Sequence, residues 1–211
     1  MKKKIAILGS TGSIGKTLIN ILKKDKNNFD IVLLSSNKNY KELIKQAKTF
    51  NVKNLIVKNK NSFLKLKKND ISNKVNIFDN FKSFNKIFKK KIDYTMSAII
   101  GLNGLKPTID MIKYSKKLAV ANKESIVCGW YLIKKELKKY KTEFLPVDSE
   151  HFSIWYALIN NRKKNIEKIY ITASGGPFLN KSVKQLRKIK LSDALKHPNW
   201  KMGKKISIDS A

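Results

Sequence analysis

The sequence contains a single cysteine, Cys128, among its 211 residues. A disulfide within the chain is therefore excluded, which favours a reducing compartment. Long apolar runs are also missing. The run Ile5–Leu8, which follows three lysines, is ended by Gly9 and is far too short for a signal peptide or a membrane span. These absences predict a cytoplasmic protein without a membrane segment.

Acidic residues are scarce, with 15 Asp and Glu against 46 Lys and Arg and a net charge of +31. Such a charge is typical of proteins that bind nucleic acids or anionic membranes. However, only Arg162 and Arg187 are arginines, although nucleic-acid recognition usually relies on arginine. The lysines are spread over every predicted element, so we interpret the charge as compositional drift and expect no nucleic-acid partner. A basic nucleic-acid-binding module is one alternative.

Short apolar strands alternate with amphipathic helices over the first 140 residues. The predicted strands are Lys4–Leu8, Asp30–Ser35, Asn54–Val57, Val75–Ile77, Tyr94–Ala98 and Lys117–Val120. The predicted helices are Ile14–Leu22, Tyr40–Phe50, Asn61–Leu66, Phe81–Phe88, Leu105–Tyr114 and Lys123–Lys139. This alternation predicts an α/β fold with a Rossmann-like, doubly wound and mostly parallel sheet.

The pattern changes near Glu143. A strand at Phe144–Val147 leads into a helix start at Asp148, and Ile166–Ala173 is rich in strand-forming residues. We therefore expect a first domain over residues 1–146 and the start of an α+β catalytic domain over 147–211. The last run, Ile206–Ala211, is apolar and alternating rather than a polar tail, so we expect this second domain to be incomplete.

Glycines recur every third residue directly after the first strand, at Gly9, Gly12 and Gly15. Glycine allows a sharp turn and a close approach to a pyrophosphate, and the helix that begins near Ser13 offers free N–H groups to that anion. Hydroxyl groups of Thr11 and Ser13 add donors. The loop predicts a dinucleotide site, with a plain tight turn as the alternative.

The end of the second strand indicates which dinucleotide binds. NAD-binding proteins carry an acidic residue there, but the segment Ser35–Asn39 has none. Lys38 would pair with a 2′-phosphate, and Ser36, Asn37 and Asn39 would donate hydrogen bonds to it. We therefore predict NADPH, the alternative being that Lys38 is an ordinary surface lysine.

Two carboxylates flank Ser149 just after a predicted strand. Asp148 and Glu150 repel each other unless a cation lies between them, and oxygen ligands suit Mg²⁺ or Mn²⁺. The alternative is an N-cap, in which Asp148 or Ser149 caps the following helix.

Three further positions carry groups that could contact a substrate. Lys123 follows a strand end, although Asn122 and Ser125 around it also fit a helix cap. Ser174 precedes two glycines in a segment that resembles an anion-binding nest. His197 lies close to Trp200 and could bind phosphate or hydroxyl oxygens, although a lone histidine is more often structural.

Taken together and in this order, the motifs resemble the 1-deoxy-D-xylulose 5-phosphate reductoisomerase family. The matching stretches are Gly9–Gly15, Ala121–Ser125, Pro146–His151, Ser174–Phe178, His197–Gly203 and Ile206–Ala211. This resemblance implies roles for individual residues. The cofactor residues would be Thr11, Gly12, Ser13, Ile14, Asn37, Lys38, Asn39, Asn122, Glu124 and Gly203. The substrate residues would be Lys123, Ser149, Glu150, Ser174, His197 and Ser210, and the metal ligands Asp148 and Glu150. Catalysis would rest on Lys123, Asp148, Glu150 and His197.

The resemblance also implies an activity. NADPH and a divalent metal would support rearrangement and reduction of a sugar phosphate, 1-deoxy-D-xylulose 5-phosphate, to 2-C-methyl-D-erythritol 4-phosphate in non-mevalonate isoprenoid biosynthesis. In the family a third carboxylate ligand follows the Asp-Ser-Ala match, within an Asn-Lys-x-x-Glu segment, and the full-length protein is a homodimer. We therefore expect these 211 residues alone to be inactive. Another NADP-dependent dehydrogenase, of the semialdehyde type, is the second alternative.

Overall fold

The computed structural model describes residues 1–159, 161, 165–171, 175–201 and 203–211. The chain packs as two compact units, Met1–Asn160 and Asn161–Ala211. In the part of the chain that is described, no helix has both the length and the apolar character that spanning a bilayer requires.

The first unit is built on one seven-stranded sheet in which every pair of neighbours is parallel. Its strands are β1 (Lys3–Leu8), β2 (Phe29–Ser36), β3 (Asn54–Val57), β4 (Asn76–Phe78), β5 (Ile92–Ser97), β6 (Ser115–Val120) and β7 (Glu143–Pro146). Their order across the sheet is β4-β3-β2-β1-β5-β6-β7. The direction of winding therefore reverses between β1 and β5, which is where open α/β sheets bind ligands.

Helices connect the strands, as parallel pairing requires. Those of the first unit are α1 (Ser13–Lys24), α2 (Tyr40–Phe50), α3 (Lys60–Lys67), α4 (Phe84–Ile87), α5 (Leu105–Ile112), α6 (Lys123–Tyr140) and α7 (Ser149–Leu158). Short 3₁₀ helices cover Asp70–Asn73, Phe81–Ser83 and Leu102–Gly104. In the second unit lie α8 (Val183–Leu186), α9 (Leu191–Ala194) and α10 (Lys204–Asp209).

The core of the first unit lies on both faces of the sheet, because successive strand side chains point to opposite sides. Ile5 and Ile7 pack in one buried cluster with residues of α1 and α2. Ala6 and Leu8, the alternate residues of the same strand, pack in another with Phe84 and with Met111 of α5. The α/β fold with a doubly wound parallel sheet is therefore confirmed.

Most predicted elements form within two residues of their expected bounds, but two differ. The segment Phe81–Phe88 divides into a 3₁₀ turn and the short α4, with Phe88 extended. The predicted strand at Ile166–Ala173 is wrong over its described part, since residues 166–171 form no strand and no described residue of that unit offers a partner strand. The run at the end of the sequence, for which no helix or strand was predicted, lies mostly in α10.

The division of the chain into units places α7 with the sheet. The functional boundary between residues 146 and 147 remains a prediction.

Candidate functional site

The glycine-rich loop between β1 and α1 is tight because its neighbours leave no room for side chains. Gly9 has a φ of +82°, and a Cβ there would lie 2.7 Å from the carbonyl oxygen of Ala98. A Cβ on Gly15 would clash with the carbonyl oxygen of Gly9 and lie 2.6 Å from Ser10 Cα. Gly12 is the N-cap of α1 and has no side chain to cap it, so the first-turn amides of the helix can receive an anion.

Buried polar residues fix this loop from the neighbouring elements. The N–H of Gly9 donates to Ser35 Oγ at 3.0 Å, and the N–H of Ser10 donates to the Ser35 carbonyl oxygen at 2.9 Å. From α2, the Gln46 amide donates to the carbonyl oxygen of Ser10 at 3.1 Å. The sequence analysis missed these contacts because Ser35 and Gln46 are distant from the loop along the chain.

A cavity of about 790 Å³ opens beside the loop, over the carboxyl ends of the strands. Its wall includes Thr11 and Gly12 of the loop and Asn37 at the end of β2, all three predicted from the sequence. Lys38 and Asn39, the next two residues, are exposed and are not among the residues that line the cavity. Asn39 also caps α2 by accepting the N–H of Glu42. The other predicted loop residues, Ser13 and Ile14, are exposed in the first turn of α1.

The remaining cavity wall comes from residues that the sequence analysis did not single out. Among them are Lys58 after β3, Phe81 after β4, Ile99 after β5, and Lys106 and Asp110 on α5. Lys58, Phe81 and Ile99 lie one to three residues beyond a strand end, so the rule that ligands bind at the carboxyl edge would have indicated them. The abundance of lysine hid the significance of Lys58.

The side chain of Asn122 joins the start of α6 to the loop after β5. Its Oδ1 accepts the N–H of Ser125 at 2.6 Å, which caps the helix, and its Nδ2 donates to the carbonyl oxygens of Ile99 and, at 2.8 Å, Gly101. The capping alternative raised from the sequence is therefore confirmed for Asn122. Next to it on α6, Lys123 is exposed and Glu124 is half-buried.

The carboxylate pair lies after β7, at the same edge of the sheet. Asp148 caps α7, and its Oδ1 receives the N–H of His151 at 2.8 Å and the His151 ring Nδ1 at 2.7 Å. Burial by itself would raise the pKa of Asp148, but the His151 hydrogen bonds, the His151 charge and a hydrogen bond with Glu150 together lower it. The carboxyl groups of Asp148 and Glu150 are thus adjacent, while Ser149 and Glu150 are exposed.

Only these two carboxylates meet there within the described residues. No group of three or more histidine, cysteine, aspartate or glutamate side chains is close enough to hold a metal ion in the part of the chain that is described. The capping alternative is confirmed for Asp148, and capping does not prevent an exposed carboxylate from binding a cation as well.

The second unit contains the remaining predicted residues. His197 stacks on Trp200 with the ring centroids 4.2 Å apart, and its Nδ1 accepts the N–H of Asn199 at 3.2 Å. The neutral ring therefore carries its proton on Nε2, which is buried and has no partner in the described residues. Gly203 is the N-cap of α10, and Ser210 donates to the carbonyl oxygen of Ile206 at 2.8 Å. Ser174 lies outside the described residues.

The parallel sheet brings most of the predicted residues of the first unit to one edge. Residues 11–14, 37–39, 122–124 and 148–150 follow the carboxyl ends of β1, β2, β6 and β7, respectively. Peptide N–H groups, amides, hydroxyls and lysine ammonium groups lie at this edge, and the carboxylate pair follows β7. This donor set suits a phosphate-bearing ligand and a hard cation.

Comparison with known proteins identifies the family to which this arrangement corresponds. Residues 5–129 match the family described as 1-deoxy-D-xylulose 5-phosphate reductoisomerase, and residues 144–211 match that enzyme's C-terminal domain family. Curated reductoisomerases of Pelagibacter ubique and of Wolbachia from Culex pipiens are 67% and 42% identical over 99% of this chain. Both alignments cover 54% of the relative, so the chain spans about half the length of these proteins.

Two solved structures give the same result. The reductoisomerase of Zymomonas mobilis in complex with NADPH is 32% identical, covers 100% of this chain and 54% of its own, and has a TM-score of 0.86. A reductoisomerase in complex with NADPH, fosmidomycin and magnesium is also 32% identical, over 99% of this chain and 54% of its own, with a TM-score of 0.79.

Proposed function

We propose, because this chain belongs to the 1-deoxy-D-xylulose 5-phosphate reductoisomerase family, that it supplies the cofactor domain and part of the metal and substrate site of that enzyme. The reaction is the NADPH-dependent and metal-dependent rearrangement and reduction of 1-deoxy-D-xylulose 5-phosphate to 2-C-methyl-D-erythritol 4-phosphate. The observation that carries the proposal is the glycine loop, which opens directly onto the cavity at the carboxyl edge of the sheet.

The cofactor would lie along this edge. The loop Thr11–Ile14 would hold the pyrophosphate on the first-turn amides of α1. The end of β2, with Asn37, Lys38 and Asn39, would hold the adenosine ribose and its phosphate. When bound, NADPH supplies the hydride, and the protein residues orient it and exclude water. Asn122, Glu124 and Gly203 complete the proposed cofactor residues.

Asp148 and Glu150 fit a divalent cation. They offer adjacent carboxyl groups at a strand end, and the lowered pKa of Asp148 keeps its carboxyl ionised at neutral pH. When bound there, Mg²⁺ or Mn²⁺ supplies Lewis-acid polarisation of the substrate carbonyl. His151 orients Asp148 by donating to its Oδ1. Ser149, which is exposed and lies between the two ligands in the sequence, would offer its hydroxyl to a substrate oxygen.

The other proposed substrate residues would bind the anionic and hydroxyl groups of the sugar phosphate. The exposed Lys123 ammonium at the start of α6 supplies positive charge. His197 would donate its Nε2 proton to a substrate oxygen, since Nδ1 is already an acceptor and Nε2 has no described partner. Ser174 and Ser210 would add hydroxyl donors.

Three further expectations belong to the complete protein. We propose that it forms a homodimer, that it is cytoplasmic, and that it does not bind nucleic acid despite its charge of +31. We also propose that the functional boundary between the cofactor and catalytic domains lies between residues 146 and 147.

Titration of the 211-residue chain with NADPH tests the proposal. The fluorescence of the reduced nicotinamide should report saturable binding with a Kd in the micromolar range, about −8 kcal/mol. NADH should bind more weakly, because no acidic residue follows β2 to hold a ribose 2′-hydroxyl. A chain that binds neither dinucleotide at millimolar concentration would contradict the proposal, and equal affinity for both would contradict the preference for NADPH.

A further inference from the structure

Lys58 is the lysine of the cavity wall that lies next to the end of β2. Three lysines contribute to this wall in the described structure, Lys58, Lys82 and Lys106, together with the carboxylate of Asp110. Lys106 and Asp110 form an ion pair with an N–O distance of 2.5 Å, so the charge of Lys106 is compensated locally. Lys58 and Lys82 leave this wall with a net positive charge.

Backbone hydrogen bonds place Lys58 beside the last residues of β2. The N–H of Lys58 donates to the carbonyl oxygen of Ser36 at 3.1 Å, and the N–H of Asn59 donates to that of Asn37 at 3.1 Å. The pairing of β2 with β3 therefore continues past both strands and fixes the Cα of Lys58 next to Ser36 and Asn37.

The ammonium group of Lys58 is held at the cavity by neutral partners. Its Nζ donates to the backbone carbonyl oxygen of Asp79 at 3.2 Å and lies 6.0 Å from the centroid of the Phe81 ring. Neither contact compensates its charge with a carboxylate. A buried polar group lies in the same wall: Ser36 is 4% exposed, and its hydroxyl oxygen has no hydrogen-bond partner in the described structure.

We propose that Lys58 is a specificity-determining residue for a dinucleotide that carries a phosphate on the ribose 2′-oxygen. This inference rests on the proposed function. The adenosine ribose of a dinucleotide lies over the end of the second strand, and the group on its 2′-oxygen determines whether an acid or a cation is needed there. Lys58 provides that cation from the adjacent strand end. Both lysines are exposed, but Lys58 lies in the cavity wall and Lys38 does not.

The test compares ligands that differ only in this phosphate. Adenosine 2′,5′-bisphosphate and adenosine 5′-monophosphate, together with NADPH and NADH, are titrated into the 211-residue chain and three variants. Lys58→Ala removes the charge and Lys58→Arg keeps it. Lys60→Ala is the matched control, because Lys60 is exposed at the start of α3, outside the described wall, and its loss lowers the net charge equally.

We expect Lys58→Ala to weaken NADPH and the 2′,5′-bisphosphate about tenfold, the range of a charge-assisted hydrogen bond at an exposed site. The affinities for NADH and adenosine 5′-monophosphate should change less than about twofold, Lys58→Arg should retain most of the affinity, and Lys60→Ala should match the wild type. Lys38→Ala should cost less than Lys58→Ala.

The other outcomes separate a failure of the Lys58 assignment from a failure of the proposed function. If the wild type binds NADPH and Lys58→Ala loses no more than Lys60→Ala, the assignment of Lys58 is wrong and the proposed function is unaffected. A loss with Lys58→Ala that is equal for NADPH and NADH also overturns it, because the effect is then not on the 2′-phosphate. If the wild type binds neither NADPH nor the 2′,5′-bisphosphate, the proposed function fails and this inference fails with it.

Discussion

At the scale of single residues, the glycines of the loop after β1 serve different purposes. Gly9 is needed for its positive φ and Gly15 for the close approach of α1 to the loop. Gly12 has neither constraint, because its φ is −76° and a Cβ would lie 3.4 Å from its nearest neighbour, the Gly9 carbonyl oxygen. The spacing in the sequence is the same for all three, and only the packing separates the structural glycines from the one that leaves room for a ligand.

We expect Gly15→Ala to lower the free energy of unfolding by about 1–3 kcal/mol, because the added methyl group overlaps backbone atoms of Gly9 and Ser10. Gly12→Ala, the matched change, should leave the melting temperature within about 2 °C of the wild type while weakening NADPH at least tenfold, since the pyrophosphate must approach the backbone there. Thermal melts and NADPH titrations of both variants measure this. Equal destabilisation by the two changes would contradict the distinction.

At the scale of elements, Asn122 couples the start of α6 to the segment after β5. Its Nδ2 donates to two backbone carbonyl oxygens of that segment, and its Oδ1 caps the helix. Residue 104 must be glycine for this amide to fit, because a Cβ on Gly104 would overlap Asn122 Nδ2. Because Ile99 lies in the cavity wall, the position of Asn122 affects the shape of the proposed cofactor site.

The expected cost of Asn122→Ala is about 2–4 kcal/mol, the sum of a lost cap and two carbonyl groups left without a donor. Asn59→Ala removes only a cap, since Asn59 Oδ1 accepts from Ser62 of α3, and should cost about 1 kcal/mol. Urea unfolding of the two variants gives the comparison. The proposed role of Asn122 would be wrong if both variants lost the same stability and Asn122→Ala bound NADPH with unchanged affinity.

At the scale of the whole molecule, the parallel sheet determines which residues meet. Segments separated by more than 100 residues, such as the glycine loop and Asp148, lie at one edge because all seven strands run in the same direction. The proposed metal site draws on only two carboxylates among the described residues, and a hard cation binds more weakly when fewer charged ligands surround it.

We therefore expect the 211-residue chain to bind Mn²⁺ weakly, with a Kd on the order of 10⁻⁴ to 10⁻³ M, and to show no turnover of 1-deoxy-D-xylulose 5-phosphate with NADPH. Electron paramagnetic resonance of the unbound Mn²⁺ measures the affinity, with Asp148→Asn as the variant that should abolish it. Glu136→Gln, on α6, serves as the control that should leave the affinity unchanged. Micromolar affinity or clear turnover would contradict this expectation.

The elements of the first unit could be predicted from the sequence because apolar periodicity and glycine are local signals. The strands and longer helices formed as expected, and the caps that the sequence raised as alternatives at Asn122 and Asp148 are present. The strand expected near Ile166 did not form over residues 166–171, because a strand needs a neighbour that a local pattern cannot supply. The division of Phe81–Phe88 was missed for a similar reason, since the extended Phe88 packs against Tyr114 from another part of the chain.

The sequence by itself determined the α/β class, the glycine loop and the family, because each depends on local patterns and short motifs that occur in a fixed order along the chain. Only the tertiary structure decided which polar residues surround the cavity. The sequence predicts Lys38 as the cation at the end of β2, and the parallel pairing of β2 with β3 adds Lys58, which lies in the cavity wall itself. That difference arises because a neighbour in the sheet is set by strand order, which is a property of the folded chain and not of any local pattern in the sequence.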